Sequence, residues 1–251
     1  MTNRFDLSGK KALVTGTSGG LGQAMAVGLA EAGADVVLVS RSDSGEAVRA
    51  IKAVGRRAVH LAADLGELDG IGDVVRRAIE AFGAIDILVN NAGIIRRTPA
   101  ADHAERDWHD VIDVNLHAVF RLSQQIGRHM IERGSGKIIN IASMLSFQGG
   151  INVPGYTASK HAITGLTKAL ANEWAGKGIQ VNAIAPGYMA TDNTAALRAD
   201  KARHDSILER IPAGRWGTPE DMKGPVIFLA SAASDYMNGH ILCVDGGWLA
   251  R

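Results

Sequence analysis

The sequence predicts a single α/β domain of the Rossmann kind, a doubly wound parallel sheet of about seven strands with helices on both faces. Three observations carry that expectation. Short apolar, β-branched runs alternate with longer helical segments along all 251 residues. A glycine-rich turn, Gly16-Thr17-Ser18-Gly19-Gly20-Leu21-Gly22, stands between the first such run and the first helix. Glycine is abundant, at 30 residues, and proline scarce, at 6, which suits many tight strand–helix turns. No repeat, low-complexity tract or linker-like run marks a second domain, so one domain over 1–251 is expected.

Composition excludes several classes. The formal net charge is +1, so no surface for a polyanion such as nucleic acid is implied. Cys243 is the one cysteine, which rules out an intrachain disulfide and fits a reducing compartment. The start, Met1-Thr2-Asn3-Arg4-Phe5-Asp6, has no apolar signal core, and no apolar run is long enough to span a bilayer. A cytoplasmic location is therefore expected. No His, Cys and carboxylate cluster has metal-ligand spacing, so no metal is expected.

The elements follow in order. Lys11 to Thr15 reads as a short buried strand, and after the glycine turn Gln23 to Ala32 reads as a helix stopped by Gly33. A glycine turn at a helix start admits a pyrophosphate close to the backbone, and the free N–H groups of the first turn attract it. Asp35 to Ser40 is the second strand. An acidic residue at its end would hydrogen-bond a ribose 2′-hydroxyl, whereas a basic one would accept a 2′-phosphate. Ser40-Arg41 stands there, which favours NADP, although a solvated arginine at a strand end reads the same way.

A helix at about Gly45 to Val54, a strand at Ala58 to Ala63 ending in Asp64-Leu65, and a helix at about Leu68 to Phe82 come next. The strand Ile85 to Val89 ends in Asn90-Asn91-Ala92-Gly93, where the asparagines either hold loops together or line the crevice outside the strand ends. Glu105 to Glu132 reads as one long helical stretch carrying Asn115, and a buried asparagine in a helix needs a partner. Gly136 to Ala142 is a strand with Ser143 at its carboxyl end, either a cap or a donor into the crevice. Ile179 to Ala185 leads to Pro186-Gly187 and a polar segment over about 188–215. A helix at about Pro219 to Ser231 and a strand at His240 to Val244 close the chain with Asp245-Gly246-Gly247-Trp248.

Gly155-Tyr156-Thr157-Ala158-Ser159-Lys160 is the stretch with chemistry in it. On a helix, Tyr156 and Lys160 share one face. A phenol is a poor base at neutral pH, and a neighbouring ammonium favours the phenolate. The pair is suited to moving a proton on and off an alcohol oxygen.

Taken together, Thr15-Gly16-x-x-x-Gly20-x-Gly22, Asn90-Asn91-Ala92-Gly93, Asn115, Ser143, Tyr156-x-x-x-Lys160 and Pro186-Gly187 with Thr191 resemble the short-chain dehydrogenase/reductase family over essentially the whole chain. The resemblance implies Tyr156 as general acid/base, Lys160 as the group that lowers its pKa and binds the nicotinamide ribose, Ser143 as partner of the reacting oxygen, and Asn115 as holder of a water linking Lys160 to solvent. It implies NAD(P) bound along Gly16, Ser18, Gly20, Leu21, Gly22, Ser40, Arg41, Asp64, Leu65, Asn91, Ala92, Gly93, Tyr156, Lys160, Pro186, Gly187, Met189 and Thr191. It also implies a homotetramer with contacts through Asp107 to Met130, Pro219 to Ser231 and the last strand.

Within the family, the segments Asn91 to Arg97, Ala142 to Gly150, Ala185 to Thr194, Glu209 to Gly217 and Gly246 to Arg251 resemble a bacterial subgroup of pectin and sugar-acid breakdown. That subgroup implies a substrate of the 2-deoxy-D-gluconate or 2-dehydro-3-deoxy-D-gluconate type and implies NAD, against the NADP pattern of Ser40-Arg41. Thr191 to Asp205 offers hydroxyls, amides and charges rather than an apolar pocket lining. Arg96, Arg97 and Gln148 are the substrate candidates. Either arginine can grip a carboxylate with two hydrogen bonds, and either can instead be a surface or subunit contact. Arg198, Arg203 and His204 come next. Two other readings compete: a carbonyl reductase of another substrate, such as a 3-oxoacyl carrier-protein thioester or gluconate, and a catalytically silent dinucleotide-binding protein. The intact Ser143, Tyr156 and Lys160 argue against the second.

Overall fold

The computed structural model describes residues 3–251; Met1 and Thr2, which open the stretch read for a signal core, lie outside the described residues. Seven strands form one parallel sheet: β1 (Lys11–Thr15), β2 (Asp35–Ser40), β3 (Ala58–Ala62), β4 (Ile87–Asn90), β5 (Gly136–Ile141), β6 (Ile179–Pro186) and β7 (Ile241–Val244). Their order is β3-β2-β1-β4-β5-β6-β7. The winding reverses between β1 and β4, where Leu13 is in register with Leu88. Ligand crevices form outside the carboxyl ends of strands at such a reversal.

The strands are apolar on both faces because helices cover both. Alternation along each strand splits the core in two. Ala12 and Val14, with Val36 and Leu38, pack against Met25 and Leu29 of α1 (Gly20–Glu31), Ile51 of α2 (Gly45–Ala53) and a late helix described below. Leu13, Val37 and Val39 face the other way, toward Val74 of α3 (Ile71–Phe82).

Several boundaries differ from the sequence reading. Helix α1 starts inside the glycine turn, at Gly20 rather than Gln23. A 3-10 turn at Leu68–Gly70 precedes α3, and β4 starts at Ile87 rather than Ile85. The stretch read as one helix is α4 (Glu105–Ile112) and α5 (Ala118–Arg133), separated by a π turn at Asp113–His117. One extra residue in a turn leaves the apolar periodicity almost intact, so sequence patterning does not reveal it.

Helix α6 (Pro154–Trp174) starts on Pro154, whose missing N–H costs nothing at that position. The polar segment after β6 forms two short helices, α7 (Ala195–Ala199) and α8 (Lys201–Leu208). Helix α9 (Lys223–Ala230) follows a 3-10 turn at Pro219–Met222 and packs Val226 and Leu229 onto the α1 face of the sheet. No helix among the described residues is long and apolar enough to cross a membrane.

Candidate active site

The loops after β1 to β6 enclose a cleft of about 980 Å³ at the carboxyl edge of the sheet. Every residue named above as a cofactor contact lines it, as do Ser143, Arg97 and Gln148. Asn115 and Arg96 do not.

At the switch point, two loops touch because glycine leaves room. Gly16 has φ of +72°, and a Cβ there would stand 2.9 Å from the Cα of Ala92. A Cβ on Gly22 would collide with the Gly16 carbonyl and the Asn91 amide. Asn91 closes the seam by donating from Nδ2 to the carbonyls of Thr15 (2.8 Å) and Gly16 (3.2 Å). The N-terminus of α1 carries no side-chain cap and no acidic residue in its first turn. Its N–H groups thus remain free for an anion, and a Cβ on Gly19 would meet only open space. The Thr191 methyl would stand 3.6 Å from a Cβ on Gly20, so Thr191 faces the glycine turn across the cleft. Asn90 lies deeper: it donates to Ser123 Oγ (3.0 Å) and Asn140 Oδ1 (2.9 Å) and holds the core instead. Chain walls and free N–H groups here fit the pyrophosphate of a dinucleotide.

At the far end of that half, the Ser40 hydroxyl is spent inward. It pairs with Ser42 O (2.7 Å), Ser44 Oγ (2.8 Å) and His60 Nε2 (3.0 Å), while Ser44 also meets Thr17 Oγ1 at 2.9 Å. Ser40 therefore braces the turn. Arg41 is free by comparison, with a side chain 67% exposed and an ion pair to Asp64 of 3.4 Å. A pair that open contributes little.

At the catalytic end, Ser143 leaves β5 and its Oγ accepts from Leu145 N at 3.1 Å, which fixes its rotamer. Tyr156 and Lys160 stand on the first turns of α6, and the Lys160 Nζ is 5.6 Å from the centre of the Tyr156 ring. Lys160 is 5% exposed and donates to the Ile141 carbonyl at 2.6 Å. Burial brings its pKa down to about 8. Burial pushes Tyr156 above the ordinary phenol range, while the nearby Ser143 hydroxyl and the Arg97 charge pull only partly the other way. The reason is that the phenolate, the charged form, loses its water before any counter-charge compensates.

Asn115 works as a clamp. It is fully buried in the π turn. Its Oδ1 accepts from Ile94 N (2.8 Å), and its Nδ2 donates to Ile94 O (2.9 Å) and Ser159 Oγ (3.2 Å). Both side-chain N–H donors thus clamp the loop after β4 to α6.

The two arginines separate. Arg97 lines the cleft and donates to Asn193 O at 3.0 Å. Arg96 turns to α4, 3.4 Å from Asp107 and 3.3 Å from Asp110. Of the next candidates only Arg203 lines the cleft: Arg198 donates to Thr191 O (3.1 Å), and His204 stacks on Trp216. The polar segment has an apolar underside, where Ile207, Ile211, Trp216, Trp248 and Met144 cluster. Tyr188, Arg210, Trp248 and Asn152 line the cleft and were not foreseen. For Asn152 a signal existed: it follows Gly149-Gly150 and adopts φ of +61°, which asparagine tolerates better than most residues. Among the described residues, no three His, Cys, Asp or Glu side chains gather as a metal site.

Comparison with known proteins agrees with this geometry. The short chain dehydrogenase family model matches residues 10–202. The chain is 59% identical over 250 residues to the 2-dehydro-3-deoxy-D-gluconate 5-dehydrogenase of Dickeya dadantii, covering 99% of both. It is 58% identical over 248 residues to the Escherichia coli K12 enzyme of the same name, covering 98% of both. A gluconate 5-dehydrogenase from Burkholderia cenocepacia, solved with NADP and tartrate, superposes with a TM-score of 0.94 at 44% identity over 99% of this chain and 98% of that one. The chain belongs to the short-chain dehydrogenase family and is an oxidoreductase.

Proposed function

We propose that the protein interconverts a secondary hydroxyl and a ketone on a sugar acid of the 2-dehydro-3-deoxy-D-gluconate or 2-deoxy-D-gluconate type, using NAD(P). The observation that carries this reading is the meeting of Ser143, Tyr156 and Lys160 in a cleft with free helix N–H groups at one end and the Arg97 guanidinium at the other. Names borne by relatives at 58–59% identity support the substrate class.

The bound dinucleotide supplies the hydride acceptor or donor, together with a positive charge in its oxidised form. Ser143 donates to the reacting oxygen and holds the substrate carbon in place. Tyr156 takes the hydroxyl proton during oxidation and returns it during reduction. Lys160 keeps a buried cation one helical turn away, which favours the phenolate that burial alone opposes. Asn115 keeps the Ile94 loop against α6, so the walls stay in place through turnover.

Arg41, mostly exposed and weakly paired, is the cation available to a 2′-phosphate, and we favour NADP on that ground. Trp108 and Phe120 are 38% and 42% exposed on α4 and α5, which supports homotetramer contacts through those helices. The test is a dehydrogenase assay over sugar acids, uncharged polyols and a 3-oxoacyl thioester, with NAD and NADP in parallel. Best turnover on the acids is the expected result, and best turnover on the thioester would replace the reading with the acyl reductase one.

A further inference from the structure

Gln148 and Trp248 are 100 residues apart and meet across the substrate end of the cleft. The indole Nε1 of Trp248 donates to Gln148 Oε1 at 2.9 Å. An indole nitrogen only donates. The amide oxygen therefore has to face Trp248, and the NH2 group has to face away from it. This holds whichever way the amide would otherwise be drawn, because the reversed amide would set two donors against each other. Gln148 lines the cleft, and its NH2 makes no hydrogen bond to any other described residue.

Trp248 is itself held on several sides. The Asp245 carboxylate accepts from the backbone N–H groups of Gly247 and Leu249, both at 2.9 Å, and so fixes the turn that carries the ring. Tyr188 packs against the ring edge-on, with centroids 4.8 Å apart. The Arg210 guanidinium covers it at 4.2 Å. With 5% of its surface exposed, Trp248 is set to dictate the amide rather than follow it.

We infer that Trp248 is a positioning residue that locks Gln148 with its NH2 donor presented to the substrate, so that Gln148 selects substrates offering an oxygen acceptor at that place. The inference rests on the reading that the substrate occupies the Arg97 end of the cleft. The group recognised is a hydroxyl or carboxylate oxygen of a polyhydroxy chain. A substrate with an N–H group or a methylene there leaves a buried donor without a partner and is rejected.

The test uses the full-length enzyme with NADP, first on a panel of sugar acids and uncharged polyols. Gln148→Glu keeps the acceptor for Trp248 and replaces the donor by a carboxylate oxygen. It is expected to raise KM for a sugar acid by about tenfold or more, with kcat within about threefold and the cofactor Kd unchanged. Gln148→Leu is expected to raise KM by about three- to tenfold on any substrate the enzyme accepts. Trp248→Phe keeps an aromatic ring near Tyr188 and Arg210 and removes the N–H together with part of the indole. Its KM increase is expected to shrink several-fold in the Gln148→Leu background, where only the packing part remains to be lost. Unchanged KM in both Gln148 variants would overturn the inference. An equal effect of Trp248→Phe with and without Gln148 would also overturn it, since packing alone would then account for Trp248. Wild-type turnover of polyols only would sink the acid reading by itself, and the Gln148→Leu effect on the polyol KM would still decide this one.

Discussion

Lys160 and Tyr156 stand one helical turn apart on α6, with the ammonium 5.6 Å from the ring centre and anchored on the Ile141 carbonyl. The anchor keeps Lys160 in place as either partner changes protonation. Deleting the phenol oxygen isolates its role. Tyr156→Phe preserves the ring and should lower turnover by ~10²–10⁴-fold, the range for a lost general acid/base. Dinucleotide affinity, read by fluorescence titration, should stay nearly unchanged. Wild-type turnover in the variant would remove Tyr156 from the chemistry.

The depressed pKa of Lys160 has a consequence for stability. In the folded protein it is about 8, below the ordinary 10.5. Between those values the unfolded chain holds a proton that the folded one lacks, so folding stability rises with pH across that window. Below about pH 8 both states are charged, and the folded state bears the full cost of a buried ammonium. The swing is on the order of 3 kcal/mol. Lys160→Met removes it. The wild-type minus variant difference in unfolding free energy, from urea melts, should therefore grow between pH 7.5 and 9.5 in the direction of the wild type. A flat difference would mean that Lys160 titrates normally.

The proposed preference for NADP rests on Arg41. Arg41→Ala should raise the Kd of NADP by about tenfold or more and leave that of NAD within about twofold, because only NADP carries a phosphate for the guanidinium to meet. Equal effects on both would take selectivity away from Arg41, and firm NAD preference in the unmutated protein would sink the NADP reading.

The sequence showed what depends on local spacing. The glycine turn, Tyr156 and Lys160 one turn apart, and Ser143 at a strand end all follow from helix and strand periods, and each lies where those periods put it. Arg96 and Arg97 did not separate, because they stand in an irregular loop where no period tells which neighbour faces the cleft. The Trp248 to Gln148 contact joins residues 100 apart and leaves no local trace. The raised pKa of Tyr156 was also out of reach: spacing showed the ammonium beside it but not how much water the fold removes.

The two arginines now make different predictions. Arg97 is the one aligned with the cleft, so Arg97→Ala should raise KM for the acid by about tenfold or more, matching the ~1.5–3 kcal/mol of a hydrogen bond to a charged group. An uncharged polyol should lose little. The same guanidinium pulls the Tyr156 pKa down, so its loss should also move the ascending limb of the pH profile for oxidation to higher pH. Arg96→Ala breaks only half-exposed pairs with Asp107 and Asp110 and should leave KM within about twofold. Unchanged KM in the Arg97 variant would send the carboxylate to Arg203 or Arg210.

Asn115 offers the sharpest test of the clamp, because one substitution can be made to depend on pH. Asn115→Ala leaves Ile94 N, Ile94 O and Ser159 Oγ without their partner, at a cost of about 2–4 kcal/mol. The loop carrying Ala92, Gly93 and Ile94 lines the cleft, so dinucleotide affinity should fall with stability. Asn115→Asp keeps the shape. Its new carboxyl group, when protonated, accepts from Ile94 N and donates to Ile94 O as the amide does. When ionised, it sets a buried negative charge against that carbonyl. Burial and the carbonyl both raise its folded-state pKa above the unfolded value near 4, so its stabilising contribution is present at low pH and is lost as pH rises through the folded value. The unfolding midpoint of Asn115→Asp should therefore approach the wild type's at pH 5 and fall toward that of Asn115→Ala at pH 8. Parallel midpoints for the two variants across that range would show that Ile94 is not held by this side chain.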